Sequence, residues 1–177
     1  DAEPLALRET PYFNRDVFHF CSHQHAPNSM REAGAAMTQN KNSIYIAYDI
    51  FAEYATKASM VLKELVYHAL DTLLGANKTL QTLLPAQGVT TIQQQAAQNR
   101  YVHHLLYATP VKRGEDICVI EDIVPLYDVE AEVRLPHEVK KAYLAPQMEA
   151  LPFAIKDGCV CYTVPKLDCH QMVVLEY

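Results

Sequence analysis

Residues 151–164 read LPFAIKDGCVCYTV, two apolar runs joined by an Asp-Gly pair. Before the pair, Phe153 and Ile155 alternate with Ala154 and Lys156; after it, Val160 and Tyr162 alternate with Cys161 and Thr163. Successive side chains on a strand point to opposite faces, so each run offers one apolar face. Asp157-Gly158 accepts the positive φ angles of a two-residue turn, and the segment is predicted to be an antiparallel hairpin.

The same signature spreads outward from the hairpin in both directions. TLQTLL (79–84), VTTIQQQ (89–95), RYVHHLLYA (100–108), ICVIEDIV (117–124), DVEAEVRL (128–135), VKKAYLA (139–145) and HQMVVLEY (170–177) are short alternating runs divided by Pro, Gly and Asn. About eight strands at this spacing favour a β-sandwich over residues 77–177.

Before residue 77 the pattern is of the α/β kind. KNSIYIAYDIF (41–51) alternates Ile44, Ile46, Tyr48 and Ile50 with smaller or polar residues and predicts a strand. In ATKASMVLKELVYHALDTLLG (55–75), Leu62, Leu65, Val66, Ala69, Leu70 and Leu73 recur at helical spacing, and Gly75 is placed to cap the C-terminus. Residues 1–42 offer one or two short strands, around LALRET and VFHFCS. The expected fold class is therefore α+β, with an incomplete α/β unit at 1–76 and an antiparallel sandwich at 77–177, joined by a short linker around residues 75–78.

Composition bounds the function. The chain has 177 residues, 50% of them apolar, and a net charge of −6 with 15 scattered Lys and Arg residues. That distribution gives no electrostatic footprint for nucleic acid. No apolar stretch reaches the roughly 20 residues needed to span a bilayer. The five cysteines (Cys21, Cys118, Cys159, Cys161, Cys169) form no CxxC pair and are odd in number, which reads as reduced thiols in a cytoplasmic protein.

The densest chemistry lies at HFCSHQHAP (19–27), with His19, His23 and His25 spaced HxxxHxH around Cys21. Three imidazoles and a water suit zinc, but VFHF looks like strand rather than helix, and no carboxylate lies inside the cluster. A nucleophilic Cys21 would need a fixed basic partner, and none is evident. No metal or cofactor is expected. His103 and His104 are adjacent on a strand and must face opposite ways, so they cannot share an ion. Glu121, Asp122, Asp128, Glu130 and Glu132 could suggest the paired acids of glycoside hydrolysis, but alternating acids more often form a solvated face. Tyr45, Tyr48 and Tyr54 could stack on sugar or simply pack at a rim.

Six segments together carry a family resemblance: YFNRDVFHFCSHQHAP (12–27), IYIAYDIFAEYA (44–55), LKELVYHALDTLLG (62–75), NRYVHHLLYATPVKRG (99–114), VIEDIVPLYDVEAEVRLP (119–136) and VPKLDCHQMVVLEY (164–177). In this order they resemble the C-terminal region of a glycoside hydrolase family similar to β-galactosidases with a trimerisation domain, whose relatives include α-L-fucosidase-like enzymes. The resemblance implies a (β/α)8 barrel that carries the catalytic carboxylates, a flavodoxin-like oligomerisation domain and a closing sandwich. A barrel needs about 250 residues, so the sequence here would hold only the end of the flavodoxin-like domain and the sandwich. It also implies that this chain is inactive alone, that its partners are the catalytic barrel and further copies in a homo-oligomer, and that carbohydrate is a possible ligand. In such a plan the loop at 19–27 lies beside the barrel, close enough to reach a sugar pocket. Substrate contacts are then expected from His23 and His25, with Asn14 and Arg15 adding an amide and a fixed charge. The alternative reading is an independent carbohydrate- or protein-binding module, for which a row of surface aromatics on one sandwich face would speak.

Overall fold

A computed structural model of the chain describes residues 2–11, 16–20, 22 and 28–177. The chain divides into two compact units, Asp1–Ala76 and Asn77–Tyr177.

In the first unit, strands β1 (Glu3–Pro11), β2 (Asn28–Asn40) and β3 (Ser43–Ile46) form a sheet in the order β1-β2-β3. Both pairings are antiparallel, and β1 slips register against β2 repeatedly between Pro4 and Pro11. The parallel pairing by which a flavodoxin-like unit would be recognised is not among these strands. β2 is a strand that the sequence reading did not anticipate, because REAGAAMTQN has little β-branched or aromatic content. Its strand state comes from pairing on both edges. Conversely, Val17–Phe20 of the expected VFHFCS strand form bends and irregular backbone.

Two helices follow, α1 (Ile50–Lys57) and α2 (Met60–Leu74). The expected strand therefore stops at Ile46, and Ile50 opens a helix with Asp49 at its N-cap position. Ala58 adopts the left-handed conformation at φ 50° and separates the two helices. Gly75, also at φ 50°, ends α2 as the sequence reading placed it. α2 packs on β3.

The second unit contains β4 (Leu80–Thr82), β5 (Val89–Gln95), β6 (Arg100–Leu106), β7 (Val111–Arg113), β8 (Ile117–Val119), β9 (Leu126–Val133), β10 (Lys141–Ala145), β11 (Glu149–Ala150), β12 (Phe153–Lys156), β13 (Cys159–Leu167) and β14 (His170–Glu176). One sheet has the order β11-β10-β14-β6-β5, a second has the order β12-β13-β9-β4, and β7 and β8 make a separate ribbon. All pairings are antiparallel. In the β12–β13 hairpin, Ile155 faces Val160 and Lys156 faces Cys159 across a turn whose Asp157 and Gly158 take φ 50° and 75°.

Alternation fixes which residues enter the core. Tyr101 and Leu105 on β6, Val129, Ala131 and Val133 on β9, Val160, Tyr162 and Val164 on β13, and Val173 and Leu175 on β14 join one buried cluster. Both sheets contribute, so they are packed face to face as a sandwich. Each fully buried side chain of this size stabilises the fold by roughly 1.5–3 kcal/mol relative to an exposed one.

Candidate functional site

Asn14, Arg15, Cys21, His23 and His25 lie outside the described residues, so their expected contacts have no geometry here. The flanking stretch Asp16–Phe20 does. The Asp16 carboxylate accepts hydrogen bonds from the backbone N–H groups of Phe18 and His19, both at 2.8 Å, and lies 2.7 Å from His19 Nδ1. These contacts, led by the His19 ring, hold the Asp16 carboxyl below its ordinary value. The carboxylate accepts from the Nδ1–H of the imidazole and so orients the ring. The carboxylate partner of His19 was missed in the sequence, although the i, i+3 spacing of an Asp whose side chain turns back onto the following backbone was the available signal. Val17, Phe18 and Phe20 beside this pair are almost fully exposed.

The sandwich holds a different imidazole. His103 is fully buried on the inner side of β6, with Thr90 Oγ1 2.6 Å from Nε2 and the Tyr162 hydroxyl 2.5 Å from Nδ1. A neutral imidazole donates from one nitrogen and accepts at the other, and each hydroxyl can serve either need. The trio is therefore self-satisfied. Burial, with a smaller effect from His104, pushes the His103 pKa down to about 4. Burial likewise pushes the Tyr162 phenol up. With the ring fully buried and both its nitrogens already engaged, this arrangement orders the core. His104, on the opposite face as its position requires, meets His170 with Nδ1 3.1 Å from Nε2.

Two of the clefts on the sandwich surface bear on the expected site residues. One, of about 530 Å³, lies over β9 and β13 and is lined by Glu130, Glu132, Cys161, Thr163 and Lys156 among others. Glu130 and Glu132 are exposed on this open face, as the solvated reading of the alternating acids holds. The Cys161 thiol is raised by burial first, then by Glu132 and Cys159, so it is not an activated nucleophile. The other cleft, of about 370 Å³ over the outer face of β6, β10 and β14, has Gln93, Gln95, Arg100 and His104 around a floor that includes Val102, Tyr143 and Val174. Tyr143 is buried there and gives no platform for a sugar ring. Tyr45, Tyr48 and Tyr54, in the first unit, are all exposed.

Among the described residues, no group of three or more His, Cys, Asp or Glu is placed to hold a metal ion. Cys118, Cys159, Cys161 and Cys169 are free thiols. No helix among these residues is long and apolar enough to cross a membrane.

No family model matches the sequence, and no curated protein matches it. Among solved structures, the chain is similar over 100% of its length to α-L-fucosidase isoenzyme 2 from Paenibacillus thiaminolyticus, at 57% sequence identity and a TM-score of 0.92. It spans 27% of that enzyme's chain. The mostly β architecture described above is thus shared with a part of a glycoside hydrolase.

Proposed function

We propose that this chain is the non-catalytic C-terminal portion of a glycoside hydrolase of the α-L-fucosidase kind, serving domain support and homo-oligomer contacts beside a catalytic barrel. The observation that carries the reading is the full-length similarity at 57% identity to a fucosidase of which the chain spans about a quarter. The open placement of Glu130 and Glu132 supports the non-catalytic half of it, because paired catalytic carboxylates work across an enclosed sugar ring. In this reading Asp1–Ala76 is the end of a flavodoxin-like domain, the protein is cytoplasmic, and the enzyme's ligand is a terminal α-L-fucoside rather than a β-galactoside. The loop that carries His23 and His25, with Asn14 and Arg15 before it, contributes hydrogen bonds to the sugar hydroxyls.

The test compares the 177-residue chain with the polypeptide of the complete reading frame on aryl α-L-fucosides and aryl β-galactosides. The longer polypeptide is expected to hydrolyse the fucoside, and the shorter chain to hydrolyse neither. In the longer polypeptide, His23→Ala and His25→Ala are expected to lower kcat/KM by the equivalent of about 1–3 kcal/mol without shifting Tm. Turnover by the repurified short chain would overturn the non-catalytic reading, and an activity loss that only follows stability would overturn the role of the two histidines.

A further inference from the structure

The two helices of the first unit enclose an open apolar groove of about 360 Å³. α1 supplies Ile50, Phe51 and Tyr54, and α2 supplies Leu62, Val66 and Leu70, with Lys63 as the charged member of the lining. Phe51 is 71% exposed and Leu70 53% exposed. Large apolar side chains gathered in one concavity are uncommon on a finished surface and mark a place where protein packs. The unit around them has few buried hydrophobic residues: Ala36, Met37, Ile50 and Ala69 among those described. Much of the apolar surface of the two helices is therefore left uncovered within the unit.

We infer that the groove between α1 and α2 seats an apolar ridge of side chains from the remainder of the longer, fucosidase-like polypeptide. The inference rests on the reading proposed above and adds the surface by which the two parts are joined. Three observations favour this occupant. The fold, helices included, is matched at a TM-score of 0.92 within a chain of which nearly three quarters lies outside the match, so covering polypeptide is plentiful. A second copy fits less well, because a two-fold contact centred on the groove would set concavity against concavity, and such surfaces cannot fill one another to interior density. The lining contains no carboxylate and one ammonium, which selects an apolar ridge that ends in an acceptor, a carboxylate or a carbonyl, at the Lys63 end.

The experiment places a thiol in the groove. Leu70→Cys and, separately, Phe51→Cys are made in the 177-residue chain and in the polypeptide of the complete reading frame, and maleimide modification of each site is timed by peptide mass spectrometry. Both positions are more than half exposed, so either variant should fold, and two sites guard against a local artefact. In the short chain both thiols should react at the rate of a free surface cysteine. In the longer polypeptide the rate should fall by about 100-fold or more, independent of protein concentration, as expected for a site reached only through local opening. Equal rates in the two contexts would overturn the inference, and so would protection that grows with concentration, since that identifies a second copy as the occupant. Fucoside hydrolysis is measured on the same preparations. Protection without hydrolysis would leave the groove's role standing and remove the assigned activity; hydrolysis with equal rates would do the reverse.

Discussion

Asn77–Tyr177 gathers fifteen buried residues from two sheets into one cluster, whereas in Asp1–Ala76 the buried hydrophobic residues are Ala36, Met37, Ile50 and Ala69 among those described. Both regions carry clear apolar periodicity. In the sandwich the alternating faces of β9 and β13 find those of β6 and β14, and the pattern closes on itself. In the first unit the helical stripe of α2 is equally regular, but Tyr67, Leu70, Leu73 and Leu74 remain exposed. A periodic pattern specifies that a face is to be covered, and it does not specify by what.

The widest test of this contrast is truncation. Leu105→Ala, at a position with 0% exposure, should destabilise the sandwich by about 2–5 kcal/mol. The same change at Leu70, in the 177-residue chain, should stay within about 0.5 kcal/mol. Urea unfolding with amide hydrogen exchange resolves the two units. A comparable loss at Leu70 would mean that the helix groove is already filled, and the contrast between the units would collapse.

A second test is pH. His103 titrates at about 4 in the folded chain against an ordinary 6.5, because burial disfavours its charge. The unfolded chain therefore binds the proton first on acidification, so stability is complete above about pH 6.5 and falls as pH drops toward about 4. The loss should reach about 2 kcal/mol by pH 5 and about 3 kcal/mol in full, and it should be confined to the sandwich. Urea midpoints of the sandwich measured from pH 7.5 to pH 4.5 would check it, and a flat profile would remove His103 as a buried neutral group.

The smallest test is local. Gly158 holds φ 75° in the β12–β13 turn, and an added Cβ would approach Arg134 Nη1 to 3.2 Å. Gly158→Ala should cost about 1 kcal/mol, largely from the backbone, since the guanidinium tip can give way. An unchanged melting temperature would show that this turn does not constrain the sandwich.

What the sequence made legible was chemistry that acts over a few residues. Asp157-Gly158 announced its hairpin because the turn geometry resides in those two residues. Gly75 announced the end of α2 for the same reason. The α1 start was also present, in Asp49 at the N-cap position and Glu53 in the first turn, but the alternation through Ile50 masked it. β2 was illegible because its small and polar residues become a strand only by pairing with β1 and β3. The His103 trio was illegible for a related reason: Thr90 and Tyr162 lie 13 and 59 residues away, on other strands, and nothing in RYVHHLLYA names them. The Asp16–His19 pair was local and could have been read. Its signal is a single carboxylate that orients an imidazole, which the denser HxxxHxH spacing beside it obscures.

The position of β14 in its sheet has a consequence for how the protein is made. β14 lies between β6 and β10, so His104 and His170, 66 residues apart in sequence, face each other across one strand boundary. During synthesis β6 can take up β5 as soon as both have left the ribosome, but its other edge must wait for β14. For that interval the nascent sheet exposes an open, apolar strand edge of the kind that templates wrong pairings. Closure of the sandwich therefore has to await β14, and a chain halted between residues 107 and 169 keeps that edge of β6 open.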